Sequence, residues 1–183
     1  MSLFGKTAKE LVYDLIVSQN PGLTGKGVTI DKLSFGNPAH ITAADPDPEQ
    51  YTRLNTNLDV SGIIEKGTFG KMGLTYRRLD VAHLFENVVL SVDGTGVSTA
   101  ADLVPLLRTK YNWLIDATEI YATESMTSPT KHNLRFNGKS LAWTGTVEVY
   151  LTEVPSDGVD ISKLITVTEL NGLVYDVSDM AQA

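Results

Sequence analysis

Cysteine is absent from the 183-residue chain, so disulfide bonds, thiolate nucleophiles and zinc sites built on thiolates are excluded. Long apolar runs are absent too, because none approaches the roughly 20 residues that a membrane-spanning helix needs. Residues 1–5 lack the charged leader and apolar stretch of a secretory signal. We therefore expect a protein that is cytoplasmic and soluble when made, with no membrane partner.

Positive charge is in short supply. The chain has 15 Lys and Arg residues against 22 Asp and Glu residues, which gives a formal net charge of -7. Surfaces that bind nucleic acid concentrate Lys and Arg to neutralise phosphates, whereas the only adjacent basic pair here is Arg77 and Arg78. The pair continues a strand-like segment, so its side chains should point to opposite faces of a solvated strand end. The composition predicts no nucleic-acid partner.

Reactive side chains are few and scattered. None of the three histidines, His40, His83 and His132, has a second ligand at the i+4 helical spacing that places two ligands on one metal. We expect His83 to be a hydrogen-bonded and partly buried side chain. The sequence predicts no catalytic, cofactor-binding or metal site and no small-molecule substrate.

Two acidic patterns leave alternatives open. Asp45, Asp47 and Glu49 carry oxygen ligands that calcium prefers, but prolines interrupt them, so a solvated acidic loop is favoured. Carboxylates elsewhere in the chain would support a hydrolase only if they converged in space. The candidates for such a site are Asp59, Asp80 and Glu148. Because nothing in their spacing recommends catalysis, the chain is predicted not to be an enzyme.

Two segments have the pattern of amphipathic helices. Thr7 followed by Glu10 has the spacing of a capping box, and apolar residues on one face then predict a helix over residues 7–18. Thr99 and Asp102 begin a second helix in the same way. Because Pro105 lies beyond the first turn and removes a backbone hydrogen bond, we expect the second helix to be short or kinked.

Alternating apolar and polar residues predict β-strands through most of the remaining chain. Asn171-Gly172 between two such strands is the strongest short-range pattern for a β-hairpin. The glycine-rich residues 61–70 separate two strands that we expect to be antiparallel. Predicted strands cover residues 28–35, 54–60, 72–76, 88–92, 133–136, 142–151, 164–170 and 173–177, and a proline-rich loop covers residues 37–50.

Two stretches of the chain resemble each other. Residues 57–62 and 133–138 share a pattern, and each is followed by a glycine and alternating apolar residues. This echo predicts two similar hairpins in one sheet system.

These elements indicate an α+β fold. With 42% apolar residues, the chain is long enough for one well-buried core. We predict a mostly antiparallel, sandwich-like β structure with an N-terminal helix, a second short helix and a C-terminal β-hairpin. Residues 1–154 should form a single core domain, and residues 155–183 should form an extension that carries the hairpin.

Three segments carry a likeness to a known family. They are residues 74–80 (LTYRRLD), residues 99–107 (TAADLVPLL) with Tyr111, and residues 145–149 (GTVEV). Together they resemble a family of uncharacterised structural proteins from tailed-bacteriophage particles, seen mainly in large phages. The resemblance implies a virion component without enzymatic activity, and it supplies no functional residues.

On this basis we expect a structural component of a tailed-phage virion, assembled in the host cytoplasm as a capsid decoration or a neck or tail protein. Its expected partners are itself and other virion proteins. The extension is expected to lie against a neighbouring subunit by adding strands to its sheet edge. The candidate interface residues are Leu3, Phe4, Leu164, Leu170, Leu173, Val174 and Tyr175.

The aromatic residues support an alternative function. Trp113 and Trp143, with Tyr111, Tyr121 and Tyr150, could form a platform on which sugar rings stack, which would make the chain a host-receptor or glycan-binding module of the virion. Packing in the core or at a subunit interface is the commoner use of such rings. Glycan binding requires exposed indole rings, whereas a purely structural role predicts that they are buried.

Overall fold

A computed structural model of the protein describes residues 3–41 and 54–153. The chain divides into two units, Met1–Glu153 and Val154–Ala183, and all of the described residues belong to the first. The predicted extension with its hairpin and the acidic pattern at residues 45–49 therefore lie outside the described residues. No helix in the described part of the chain is long and apolar enough to cross a membrane.

The first helix confirms its predicted start. In the described residues the helices are α1 (Ala8–Gln19), α2 (Gly22–Gly25), α3 (Val81–Leu84) and α4 (Ala100–Tyr111). At the start of α1, the Thr7 N–H donates to the Glu10 carboxylate at 2.7 Å and the Glu10 N–H donates to the Thr7 hydroxyl at 3.3 Å. Two orphan N–H groups are satisfied in this way, and Leu11 and Val12 of the helix are buried.

Helix α4 begins as predicted but is not short. Thr99 and Asp102 form its capping box, and the helix then runs through Pro105 for 12 residues. Pro105 is exposed, whereas Leu103 and Leu107 on the other face are 0% exposed. Burying two leucines contributes about 3–6 kcal/mol, which offsets the cost of about 3 kcal/mol for an interior proline.

The β-strands of the described residues form three sheets. In the first, the central strand β3 (Thr56–Gly62) pairs antiparallel with β4 (Lys71–Tyr76) along one edge and with β1 (Leu33–Phe35) and β2 (Ala39–His40) along the other. The register of the β3–β4 pair places Leu58 opposite Leu74. We call these four strands the N-terminal sheet.

The second sheet is a single parallel pair, and the third contains one parallel and one antiparallel pair. Strands β5 (Leu79–Asp80) and β8 (Trp143–Thr144) pair in parallel. Strand β9 (Thr146–Thr152) lies between β6 (Leu90–Asp93), with which it is parallel, and β7 (Lys131–Arg135), with which it is antiparallel. The predicted α+β class with mostly antiparallel sheets is confirmed.

Three predicted strands are shorter than the sequence pattern suggested. The strand over 28–35 keeps only β1, because Ile30–Lys32 form a 3₁₀ turn. The strand over 88–92 begins at Leu90, because the Val88 N–H closes a turn on the Phe85 carbonyl at 3.0 Å. The strand over 142–151 is interrupted at Gly145, which has a positive φ of 86°.

The echo between residues 57–62 and 133–138 does correspond to two antiparallel pairs, but the prediction of one sheet system is wrong. The β3–β4 pair belongs to the N-terminal sheet and the β7–β9 pair to another. The registers differ as well, because Leu58 faces Leu74 whereas the equivalent Leu134 faces Val147. The repeated pattern reflects local strand and turn preferences and not a repeated unit.

The buried apolar side chains form two clusters. The larger one is built around α4, strands β6 and β9 and both tryptophans, and the smaller one lies between α1 and the N-terminal sheet. Val12, Leu58, Val60 and Tyr76 are the buried members of the smaller cluster, and Leu141 packs against both clusters. The segment around Leu141 therefore connects the two cores.

The capping box of α4 makes the stability of the fold depend on pH. Hydrogen bonds from the backbone N–H groups of Ser98 and Thr99, followed by those from their hydroxyls, lower the pKa of Asp102 from 3.8 to about 2. Since the folded pKa is the lower one, the stabilisation is fully present above pH 3.8 and is lost as the pH falls towards 2. We expect Asp102→Asn to lower the melting temperature at neutral pH and to differ less from the wild type as the solution is acidified.

Thermal unfolding followed by circular dichroism at several pH values checks this expectation. Glu65→Gln removes an exposed carboxylate that lies outside the three capping boxes of the described residues and serves as the control. A melting-temperature difference for Asp102→Asn that stays constant down to pH 2 would contradict the assignment.

Candidate interaction surface

A buried arginine lies between the two cores. Both Arg77 and Arg78 were predicted to lie at a solvated strand end. Arg77 is exposed, but the strand ends at Tyr76 and Arg78 is only 5% exposed, so the prediction for Arg78 is wrong. The Arg78 Nε donates to the Thr56 hydroxyl at 3.0 Å, and Nη1 donates to the backbone carbonyl of Ser140 at 3.1 Å. The N-terminal sheet is thereby joined to the segment that precedes β8.

Ser140 connects this arginine to a buried carboxylate. The Ser140 hydroxyl donates to Glu119 Oε1 at 2.9 Å, and the Asp116 N–H donates to Oε2 at 3.0 Å. Burial raises the pKa of Glu119 above its ordinary value, although these two hydrogen bonds act in the opposite direction. We call Arg78, Ser140 and Glu119 the polar latch.

Tyr76 adds a second connection between the cores. Its hydroxyl donates to the Leu141 carbonyl at 2.6 Å, and burial raises its pKa to about 12. Burial also lowers the pKa of Arg78, yet a guanidinium remains protonated in proteins. Because the polar latch and Tyr76 are buried, they can position chain segments but cannot reach a substrate.

The carboxylates considered for catalysis do not come together. Asp59 lies on β3 and pairs with Lys71 at 2.7 Å, and Glu148 lies on β9 and pairs with Lys131 at 3.3 Å. Asp80 accepts a hydrogen bond from the Ala82 N–H at the start of α3. Each belongs to a different sheet, so they do not form one site.

The histidines are also separate. His83 was predicted to be partly buried, but its side chain is 51% exposed, so the predicted burial is wrong. Its Nδ1 lies 3.7 Å from Glu86 Oε2. His132 contacts Thr127 and Thr130. Among the described residues, no group of three or more His, Asp and Glu side chains could hold a metal ion.

The indole rings are not available to a sugar. Trp113 and Trp143 are both 0% exposed, and their rings meet edge to face with centroids 5.6 Å apart. Tyr121 and Tyr150 are 49% and 38% exposed, and the guanidinium of Arg135 lies over the Tyr121 ring at 4.7 Å. The glycan-binding alternative depended mainly on exposed Trp113 and Trp143 rings, and both rings are buried.

Exposed apolar residues lie in the turn that joins β3 to β4 and at the start of β4. Ile64, Phe69 and Met72 are 76%, 87% and 66% exposed, and we call them the tip cluster. Isolated exposed apolar residues are normal, but several in one turn mark an interaction site or an aggregation liability. Residues 61–70 were treated only as a glycine-rich loop, although apolar residues in a segment where polar ones are expected are a detectable signal.

The turn that carries the tip cluster is held in place by its own hydrogen bonds. The Thr68 hydroxyl donates to the Lys32 carbonyl at 2.6 Å and accepts from the Ile63 N–H at 2.9 Å. Gly62 lies against the next stretch of backbone, because a Cβ at that position would be 2.5 Å from the Phe69 nitrogen. Phe69 is therefore presented to solvent from a well-defined turn.

Strand β4 leaves one edge of the N-terminal sheet open. Within the described residues it pairs only with β3. The edges of the β6–β9–β7 sheet are covered: the Tyr111 hydroxyl bonds to both the N–H and the carbonyl of Ser91 on β6, and the Tyr121 N–H donates to the Arg135 carbonyl on β7. An uncovered edge strand is a template for pairing with another chain.

A shallow groove of about 470 Å³ lies elsewhere on the surface. Val88, Val89 and Tyr150 are among its lining residues, together with the Lys131–Glu148 ion pair. Glu86, Asn87 and Thr146 also line it.

Two of the predicted interface residues pack within the chain. Leu3 and Phe4 are partly buried against the larger core, and the Phe4 ring lies 6.1 Å from that of Phe85 and 6.4 Å from that of Trp113. The remaining predicted interface residues lie outside the described residues. They are Leu164, Leu170, Leu173, Val174 and Tyr175.

The polar latch makes a stability prediction with a matched neighbouring control. Arg78→Met removes the donors to the Thr56 hydroxyl and the Ser140 carbonyl, so we expect the free energy of unfolding to fall by about 3 kcal/mol. Arg77→Met changes an exposed side chain and should alter it by less than about 0.5 kcal/mol. Urea unfolding of both variants measures the difference, and equal stability of the two would show that the latch does not hold the cores together.

The comparisons with known proteins identify a family but no function. No curated protein and no solved structure matches the chain. A family model described as a family of unknown function (DUF7941) matches residues 1–183. Because this match covers the entire sequence, the chain belongs to the DUF7941 family.

Proposed function

We propose that the chain is a structural component of a tailed-phage virion that acts through self-association and contacts with other virion proteins. The observation that carries the proposal is the tip cluster beside the open edge of β4. Exposed apolar side chains in a well-fixed turn, next to a strand with one open edge, are typical of a surface that a partner covers. The proposed positions are a capsid decoration or a neck or tail assembly protein.

The segments that resemble phage structural proteins occupy scaffold positions. Residues 74–80 contain Tyr76 and Arg78, which connect the two cores. Residues 99–107 form the capped start of α4, and residues 145–149 contain the Gly145 corner and the first half of β9. These segments build the fold, which supports a role in architecture rather than in chemistry.

The use of the buried polar groups also favours this proposal. Arg78, Ser140 and Glu119 satisfy one another or the backbone at hydrogen-bond distance. On the surface, Asp59 and Glu148 pair with lysines and Asp80 caps α3. These arrangements support the proposed role, in which the protein is assembled into the virion in the host cytoplasm.

The proposal predicts that the purified chain forms oligomers and occurs in virions. Light scattering coupled to size-exclusion chromatography should give a mass that is a multiple of the 19.9 kDa chain mass. Mass spectrometry of gradient-purified particles of the phage that encodes it should find the chain in constant proportion to the capsid protein. A monomer that is also absent from particles would end the proposal.

A further inference from the structure

The imidazole ring of His132 contacts the turn that leads into β7. Residues 127–130 form this turn, which we call the entry turn. Its polar atoms surround a single ring nitrogen, Nε2 of His132: the Thr127 nitrogen lies at 3.0 Å, the Thr127 carbonyl oxygen at 2.8 Å and the Thr130 hydroxyl at 2.7 Å. One nitrogen cannot bond to the N–H and the carbonyl at the same time, because the first needs an acceptor and the second needs a donor.

Two sets of hydrogen bonds fit these distances. When Nε2 carries no proton, it accepts from the Thr127 N–H. When Nε2 carries a proton, it donates to the Thr127 carbonyl or to the Thr130 hydroxyl, which lies 2.6 Å from that carbonyl and donates to it. In the second set the Thr127 N–H faces another N–H and has no acceptor on the ring.

The direction of the backbone N–H selects the first set for the neutral ring. A peptide N–H lies in the plane of its peptide bond and cannot rotate as a hydroxyl can, and the N–H of Thr127 points at Nε2. A neutral imidazole can carry its proton on Nδ1 and leave Nε2 to accept. A protonated imidazole carries protons on both nitrogens, so it has to adopt the second set.

The entry turn is attached at both ends to the larger core. Immediately before it, the Met126 N–H donates to the Ser98 carbonyl beside the start of α4 at 2.9 Å, and the Met126 side chain is buried. At its other end, the Thr130 carbonyl accepts from the Leu151 N–H of β9 at 3.0 Å. A rearrangement of the turn therefore affects its attachment to both α4 and β9.

The charged side chains on β7 and β9 have partners of their own. Lys131 is the strand neighbour of His132 and points to the opposite face of the sheet, where it pairs with Glu148 at 3.3 Å. Arg135 of β7 pairs with Glu124.

Two carboxylates on the adjoining elements keep a constant charge from about pH 5 to 8, the range in which histidine side chains change theirs. Asp93 at the end of β6 accepts from the Thr95 N–H at 2.9 Å, and Asp102 forms the capping box of α4. Hydrogen bonds from backbone N–H groups lower the pKa of both carboxyl groups, so both remain ionised. The charge that changes at the entry turn is that of His132.

We propose that His132 is a proton-dependent switch of the entry turn: the neutral ring accepts from the Thr127 N–H and holds the turn, and the protonated ring donates to the Thr127 carbonyl or the Thr130 hydroxyl and releases that N–H. His132 is partly exposed, so protons reach its ring from the solvent. Thr127 is exposed, so its released N–H binds water and the turn is held less firmly. This switch does not depend on the proposed function.

NMR spectroscopy of the isotope-labelled protein tests the switch. Long-range proton–nitrogen spectra show which ring nitrogens carry protons, and at about pH 8 we expect Nε2 of His132 to carry none. As the ring gains its proton, the protection of the Thr127 amide from hydrogen exchange should fall by about tenfold, the effect of roughly one net hydrogen bond. The amides of Met126 and Leu151 should lose protection to a smaller extent.

Two histidine variants separate the switch from a general effect of pH. His132→Gln keeps an acceptor on the side chain but cannot gain a proton, so the protection of the Thr127 amide should no longer depend on pH. His83→Gln removes an imidazole that is 51% exposed on α3 and should leave the response of Thr127 unchanged.

Three results would overturn the inference. They are a proton on Nε2 at about pH 8, equal protection of the Thr127 amide with the ring neutral and protonated, and an unchanged pH response in the His132→Gln protein. The first two are measured on the wild-type chain, so they decide the question even if the glutamine variant does not fold.

Discussion

The burial of one guanidinium constrains the rest of the structure. Arg78 is placed where its charge must be satisfied by oxygens from elements that are distant in the sequence, including Thr56 and Ser140. A buried charge that lost these partners would cost several kcal/mol. The N-terminal sheet and the segment before β8 are therefore held in a single arrangement, and Ser140 extends the connection to Glu119. The hydrogen bond from Tyr76 to Leu141 adds a second connection between the two apolar cores, because Leu141 packs against both.

This constraint determines what the surface can do. The polar latch fixes one end of the β3–β4 pair. The β3–β4 turn lies at the other end, where a hydrogen bond to the Lys32 carbonyl holds it in place. A rigid turn can present Phe69 to a partner without the entropic cost of ordering a loop on binding. The edges of the β6–β9–β7 sheet are covered by Tyr111 and Tyr121. The outer edge of β4 has no strand partner among the described residues.

Local patterns predicted the local features well. The capping pairs Thr7–Glu10 and Thr99–Asp102 place both long helices correctly because a cap needs only neighbouring residues. The environment of Arg78 could not be predicted, because its partner Ser140 is 62 residues away in the sequence. No periodic pattern in the sequence indicates a contact over that distance. Helix α4 exceeded its expected length because leucine burial outweighs the proline, which is a tertiary effect. The tip cluster was visible in the sequence, but only the structure shows its exposure.

The central proposal is that other protein covers the tip cluster when this chain is part of a virion. Electron microscopy of the intact virion, with the structure fitted into the map, tests it most directly. The account predicts repeated copies of the chain in a symmetric layer, each with protein density over β4 and around Phe69. Particles with no density for the chain, or copies whose Ile64, Phe69 and Met72 face open solvent, would contradict it.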